Sequence, residues 1–211
     1  MEKNEQKSTE IQESNKIPIV PGNRTYSSAT KYGKKILIIG DSHLKKIRRN
    51  IFNDSLINCK SHIKPFGGAK TEHMKYYIIP NLKEFKPDIV VVNIGSNDIN
   101  FQNLQIDLNK LSNEIINIGL NCFRYGVREV IISSILVKKS VRLSAMIRRV
   151  NDLLKELCET NNMIYMSNDF IDRDFLSEDG VHLTYYGVRN LAGNFVDTIN
   201  DIVSSQNNIG F

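Results

Sequence analysis

The stretch Lys35-Ile36-Leu37-Ile38-Ile39-Gly40-Asp41-Ser42-His43-Leu44 decides the fold class. Its apolar residues run without a break, as in a strand buried on both faces of a parallel sheet, where an exposed face would demand alternation. The run ends at a glycine, and Asp-Ser follows, residues that begin helices by capping them. Similar apolar runs ending at Gly, Asn or Ser place five strands near residues 35–40, 58–64, 88–94, 129–134 and 163–167.

Segments of helical period fill the gaps. Residues 71–85 stop before Pro87, which disfavours helix at the residue preceding it. Residues 104–125 end at Gly126, a good C-terminal stop. Residues 140–160 carry Leu143, Ile147, Val150, Leu154 and Leu157 on one stripe, and residues 184–203 form the last helix. A further helix is expected to start at Ser42. Strands and helices alternating in this way specify a three-layer α/β/α sandwich around a five-stranded parallel sheet.

The chain has 211 residues, enough for one such domain and a tail. Residues 1–32 are rich in Glu, Lys, Ser, Asn and Gln and are interrupted by Pro18, Pro21 and Gly22, which reads as a disordered tail or linker. The domain is expected over residues 33–205, with a short C-terminal tail at 206–211. No apolar run is long enough to cross a bilayer, and the N-terminal segment lacks the apolar core of a signal peptide, so an intracellular, cytoplasmic address is expected. The three cysteines, Cys59, Cys122 and Cys158, have neither metal-ligand nor disulfide spacing, and Cys122 and Cys158 read as buried free thiols.

The formal net charge is +5. Two clusters concentrate it: Lys45, Lys46, Arg48 and Arg49 after the first strand, and Lys138, Lys139, Arg142, Arg148 and Arg149 after the fourth. They read either as solvated helix faces or as a positive rim that attracts an anionic ester, a phospholipid head group or nucleic acid.

In open α/β sheets, sites form beyond the carboxyl ends of the strands. Four islands fall there in order: Gly40-Asp41-Ser42, Phe66-Gly67-Gly68-Ala69, Gly95-Ser96-Asn97-Asp98 and Asp179-Gly180-Val181-His182. Ser42 is either a helix cap or a nucleophile awaiting a base. His182 suits that base because imidazole titrates near neutral pH, and Asp179 stands at a spacing that orients it. Gly68 permits a backbone N–H to point at substrate, and the Asn97 amide adds a side-chain donor; with the Ser42 N–H these would form an oxyanion hole. His43 is the poorer base, because side chains adjacent in sequence diverge. His62 and His73 lack a nearby acid and read as structural or exposed.

This ordered set resembles the SGNH hydrolases, the GDSL-type esterases and lipases, over residues 34–205. The resemblance implies a flavodoxin-like α/β/α fold and cofactor-free, metal-free hydrolysis of esters or thioesters. It also implies Ser42 as nucleophile, His182 as base, Asp179 as orienting acid, and Ser42, Gly68 and Asn97 around the oxyanion. Many members continue the first motif with a small hydroxyl residue and a glycine, where this chain has Leu44-Lys45-Lys46, so the pocket wall differs. More loosely, the tail and body are similar to SGNH domains carried by invertebrate retroelement proteins. Two functions follow: an esterase acting on an acetyl or short-chain ester of a small molecule, lipid or glycan, and a non-catalytic SGNH-fold binding module with a basic face, associated with nucleic acid or a retroelement assembly. A nucleotide-binding flavodoxin-like domain is disfavoured, since no Gly-rich phosphate loop follows the first strand.

Overall fold

The computed structural model describes residues 33–208. The tail expected over residues 1–32 lies outside the described residues, as do residues 209–211. Five strands, β1 (Lys34–Gly40), β2 (Cys59–Pro65), β3 (Ile89–Asn93), β4 (Glu129–Ser133) and β5 (Ile164–Met166), form one parallel sheet in the order β2-β1-β3-β4-β5. This is the flavodoxin-like order, in which the chain reverses its direction of winding between β1 and β3 and opens a crevice there.

Five helices cover the sheet: α1 (Arg49–Asp54), α2 (Thr71–Phe85), α3 (Leu108–Arg124), α4 (Val141–Thr160) and α5 (Tyr185–Asn208). The strand period of two sends alternate residues of each apolar run to opposite faces. Leu37, Ile39, Val90, Val92, Val130 and Ile132 pack with residues of α2, α3 and α4. Ile36, Ile38, Ile89, Val91 and Ile131 pack with Phe52 of α1 and Leu191, Phe195 and Ile199 of α5. The runs are continuous because both faces of the sheet are covered.

Two expected helices begin differently. No helix starts at Ser42; residues Ser42–Lys46 form one tight 3-10 turn, Ile47 and Arg48 are extended, and α1 follows separately. The Asp41 carboxylate accepts the His43 N–H and caps that turn. The helix expected from residue 104 begins at Leu108, because the Asp107 carboxylate accepts the Lys110 N–H and makes Asp107 the cap. A short 3-10 turn over Phe101–Asn103 precedes it. At the other end of the chain, α5 continues past residue 205 to Asn208.

Cys122 and Cys158 are buried free thiols, and burial pushes both up to about 12, so neither is a nucleophile at neutral pH. His62 stacks on Phe85, and His73 accepts the Lys70 N–H at the start of α2. Among the described residues no helix is long and apolar enough to cross a membrane.

Candidate active site

The end of β1 is held close to the end of β3. The Asp41 N–H donates to the Asn93 carbonyl at 3.0 Å, and a methyl group added at Gly40 would strike that same carbonyl. Glycine is required there by space. Beneath this junction the strand ends carry polar groups that satisfy one another. Ser133 Oγ donates to Asn93 Oδ1 at 3.0 Å, and Asn168 donates from Nδ2 to Ser133 Oγ at 2.9 Å. Buried polar groups linked in this way fix a geometry, because breaking one bond strands a desolvated partner.

Ser42 opens the turn beyond β1. Its Oγ lies 3.4 Å from His182 Nε2, and His182 Nδ1 lies 2.7 Å from Asp179 Oδ2. Since a carboxylate only accepts, the proton of neutral His182 resides on Nδ1, and the Nε2 lone pair faces Ser42. The other oxygen, Asp179 Oδ1, accepts the backbone N–H groups of Val181 and His182, each at 2.9 Å. Those backbone bonds, with the His182 ring bond, hold the Asp179 carboxyl well below the usual carboxylate range. The side chains of His182 and Asp179 are about half exposed, at 51% and 50%, so this edge of the site is open to solvent.

The loop bearing the acid and the imidazole is a compact reversal. Leu176 and Leu183 form an antiparallel bridge, Ser177 N–H donates to the His182 carbonyl at 2.7 Å, and Gly180 N–H donates to Ser177 at 2.9 Å. Lys139 closes it from the β4 side, donating its N–H to the Gly180 carbonyl at 2.9 Å.

Gly68 has a φ of +75°, the left-handed region that glycine enters without penalty, and a side chain there would point into open space. Asn97 donates one amide hydrogen to the Ala69 carbonyl at 2.9 Å, tying its own loop to the Gly67-Gly68 loop. Among the described residues, the second Asn97 amide hydrogen and the Ser42 and Gly68 N–H groups have no acceptor. The neighbouring Asp98 reaches across to α2 and accepts Thr71 N–H and Oγ1–H at 3.1 Å. Burial raises the Asp98 carboxyl above its ordinary value, against the pull of those Thr71 donors.

Lys138 departs from the expected basic rim. It is 4% exposed, and its ammonium donates to the Ser96 and Ile99 carbonyls at 2.8 and 2.7 Å, bracing the Asn97 loop from below. Burial lowers its pKa, and the Asp41 and Asp98 charges oppose that shift. The apolar residues before Lys138 hint at its burial; nothing in sequence points to the carbonyls it meets, because they belong to a loop some forty residues away. The rest of the basic cluster stays outside, and Arg189 of α5 is exposed as well. Lys45 lays its ammonium over Gly67, the Lys139 side chain lies over Gly180, and the guanidinium groups of Arg48 and Arg189 each stand 5.9 Å from the Tyr185 ring. Among the described residues, none of these four cations pairs with a carboxylate.

A separate cleft of about 560 Å³ is lined by Val137, Arg148, Asp152, Tyr165, Asp169 and Arg173 and contains none of these site residues. Among the described residues no group of three His, Cys, Asp or Glu side chains is placed to hold a metal ion.

The architecture and strand order are those that the SGNH resemblance implies, and solved structures share them. A lipase/acylhydrolase from Enterococcus faecalis superposes with a TM-score of 0.68 at 19% identity, covering 80% of this chain and 96% of that one. An acetylxylan esterase from Geobacillus stearothermophilus, in a catalytic mutant, gives 0.67 at 18% identity, covering 80% and 94%. An acetyl esterase mutant bound to acetate gives 0.65 at 18% identity, covering 82% and 99%. No family model and no curated protein sequence matches this chain.

Proposed function

We propose that this chain is a carboxylic ester hydrolase that works through an acyl-enzyme on Ser42. The observation that carries the reading is the hydrogen-bonded series Ser42 Oγ, His182 Nε2, His182 Nδ1 and Asp179 Oδ2, assembled from two loops 140 residues apart in sequence. Ser42 Oγ attacks the ester carbonyl and passes its proton to His182 Nε2. The carbonyl oxygen becomes an oxyanion facing the Ser42 and Gly68 N–H groups and the Asn97 amide. The bond to the alcohol then breaks, and the alcohol leaves with the proton from Nε2. Water repeats the cycle on the acyl-enzyme, releasing the acid and restoring Ser42. At 3.4 Å the Ser42–His182 bond is long for transfer, as such bonds often are before substrate tightens them.

The acyl group is acetyl or another short chain. The open, half-exposed edge of the site supports this choice, as do acetyl esterases among the similar folds. Hydrolysis of para-nitrophenyl acetate, butyrate and octanoate by the purified chain tests it: the rate should be highest for acetate. Equal rates, or a preference for octanoate, would overturn the short-chain assignment. No turnover of any ester by folded protein would favour the binding module.

Asn97→Ala should lower kcat by roughly 10²–10³-fold, as expected for one donor aimed at the oxyanion. A change confined to KM would remove Asn97 from that role.

The cations Lys45, Arg48, Lys139 and Arg189, which pair with no carboxylate among the described residues, support an ester carrying negative charge. With the mono-para-nitrophenyl ester of succinate, kcat/KM should fall severalfold as ionic strength rises from about 0.01 to 0.15 M, which shortens the Debye length from about 30 to about 8 Å. The acetate ester serves as the neutral control, and an identical salt response for both would count against the rim.

A further inference from the structure

His43 stands next to the proposed nucleophile and is turned away from it. Its Nδ1 lies 2.8 Å from Asp41 Oδ1, and its Nε2 lies 3.1 Å from the Val181 carbonyl. Both partners only accept, so each contact requires an N–H on the ring, and a neutral imidazole has one. His43 is 5% exposed and Asp41 is 1% exposed, so water does not substitute for either partner. Val181 is the residue before His182, and Asp41 is the residue before Ser42.

We propose that His43 is a positioning residue, held as a buried imidazolium that clamps the loop of His182 to the loop of Ser42. The clamp acts on backbone and carboxylate, and of the two histidines only His182 touches the reacting atoms. Losing one proton frees one of the two contacts. If Nδ1 keeps its proton, the Val181 carbonyl is released and the His182 loop loses its tie to the nucleophile turn. If Nε2 keeps it, a buried Nδ1 lone pair faces the Asp41 carboxylate, which is repulsive.

The charged groups facing this ring are few. Asp41 comes from the loop after β1, Lys138 from the loop after β4, and the His182 ring stands 6.4 Å away, centroid to centroid, from the loop before α5. Burial opposes the charge on His43. The hydrogen bond and charge of Asp41 and the Val181 carbonyl outweigh burial and the nearby Lys138, and the pKa is raised above that of free imidazole. The clamp's contribution to stability is therefore complete below the unfolded pKa of about 6.5 and is lost as pH rises through the folded value.

The experiment has one part independent of catalysis and one that rests on the hydrolase reading. The independent part is the nitrogen-15 spectrum of the ring in the full chain, with amide exchange over residues 177–183. Both His43 ring nitrogens should be protonated at pH 7, titrate above free imidazole, and the loop amides should exchange faster once the ring deprotonates. The catalytic part compares the parent with His43→Phe, which keeps a ring but has no donors, and His43→Gln, which keeps one donor nitrogen. His43→Phe should lose about 10²-fold in kcat, the scale of a 1 Å misplacement, with KM nearly unchanged. His43→Gln should recover part of that loss, and the alkaline limb of the parent's kcat profile that tracks the ring titration should vanish in both variants. A singly protonated ring at pH 7, or loop exchange indifferent to the ring's titration, overturns the clamp. Absence of turnover in the parent overturns the hydrolase reading alone. If His43→Phe fails to fold, the parent's spectrum, loop exchange and alkaline limb still decide.

Discussion

Ser42→Ala is expected to lower ester turnover by on the order of 10⁶-fold in kcat, leaving only what binding and the oxyanion donors supply. Alanine removes the atom that would form the acyl bond in the proposed mechanism, and no neighbour replaces it. His43, the adjacent candidate, is committed to Asp41 and the Val181 carbonyl. The fold should be indifferent to the change. Among the described residues, the Ser42 hydroxyl meets only His182, and the cap of the turn belongs to Asp41. Surface changes of this kind stay within about 0.5 kcal/mol. Turnover of para-nitrophenyl acetate and the thermal midpoint, measured together, check both halves. Residual activity within tenfold of the parent would show that another group attacks the ester.

Asp179→Asn should cost about 10⁴-fold in kcat through the wrong histidine tautomer. The carboxylate accepts from His182 Nδ1 through one oxygen and from two backbone N–H groups through the other. An asparagine keeps the backbone bonds with its carbonyl oxygen and presents an NH₂ group to Nδ1. The ring then accepts at Nδ1 and carries its proton on Nε2, where it has no lone pair for the Ser42 hydroxyl. The loop therefore survives while the base is disabled. The pH dependence has a definite sign. The Asp179 pKa is depressed, so its stabilising contribution is present above the unfolded value, near 3.9, and is lost only as pH falls through the lower folded value. The activity gap between parent and Asp179→Asn should accordingly persist through mildly acidic pH. The measurement is kcat against pH for both proteins, with the ring nitrogen spectrum reporting the tautomer. An unchanged tautomer with normal kcat would exclude Asp179 from orienting the base.

The sheet was legible in the chain because its signal is local. An apolar run such as Ile36-Leu37-Ile38-Ile39 has no polar residue to offer water, so both its faces must be covered, and the helices between the runs are there to cover them. Helix ends were less legible. Asp107 caps α3 so that it starts at Leu108, four residues later than the hydrophobic pattern begins, and Asp41 caps a turn too short for a helix. A capping carboxylate chooses its N–H group through backbone angles that composition does not encode.

The four islands exposed the parts of the candidate site, since Gly, Ser, Asn, Asp and His stand out where buried strands end. Which of those parts meet was decided by tertiary structure. The Ser42–His182 approach, the Asp98 bond to Thr71 and the Asn97 bond to Ala69 join segments far apart in sequence. Lys138 shows the same divide most clearly. In sequence it is one more member of a basic cluster; in the fold its ammonium is buried against the carbonyls of Ser96 and Ile99, while Lys139 stays outside. The layers and the inventory of reactive groups could be read along the chain, because hydrophobic period and residue chemistry are properties of short segments. Which donor faces which acceptor came from packing, because a hydrogen bond depends on positions within a few tenths of an ångström that the packed sheet alone sets.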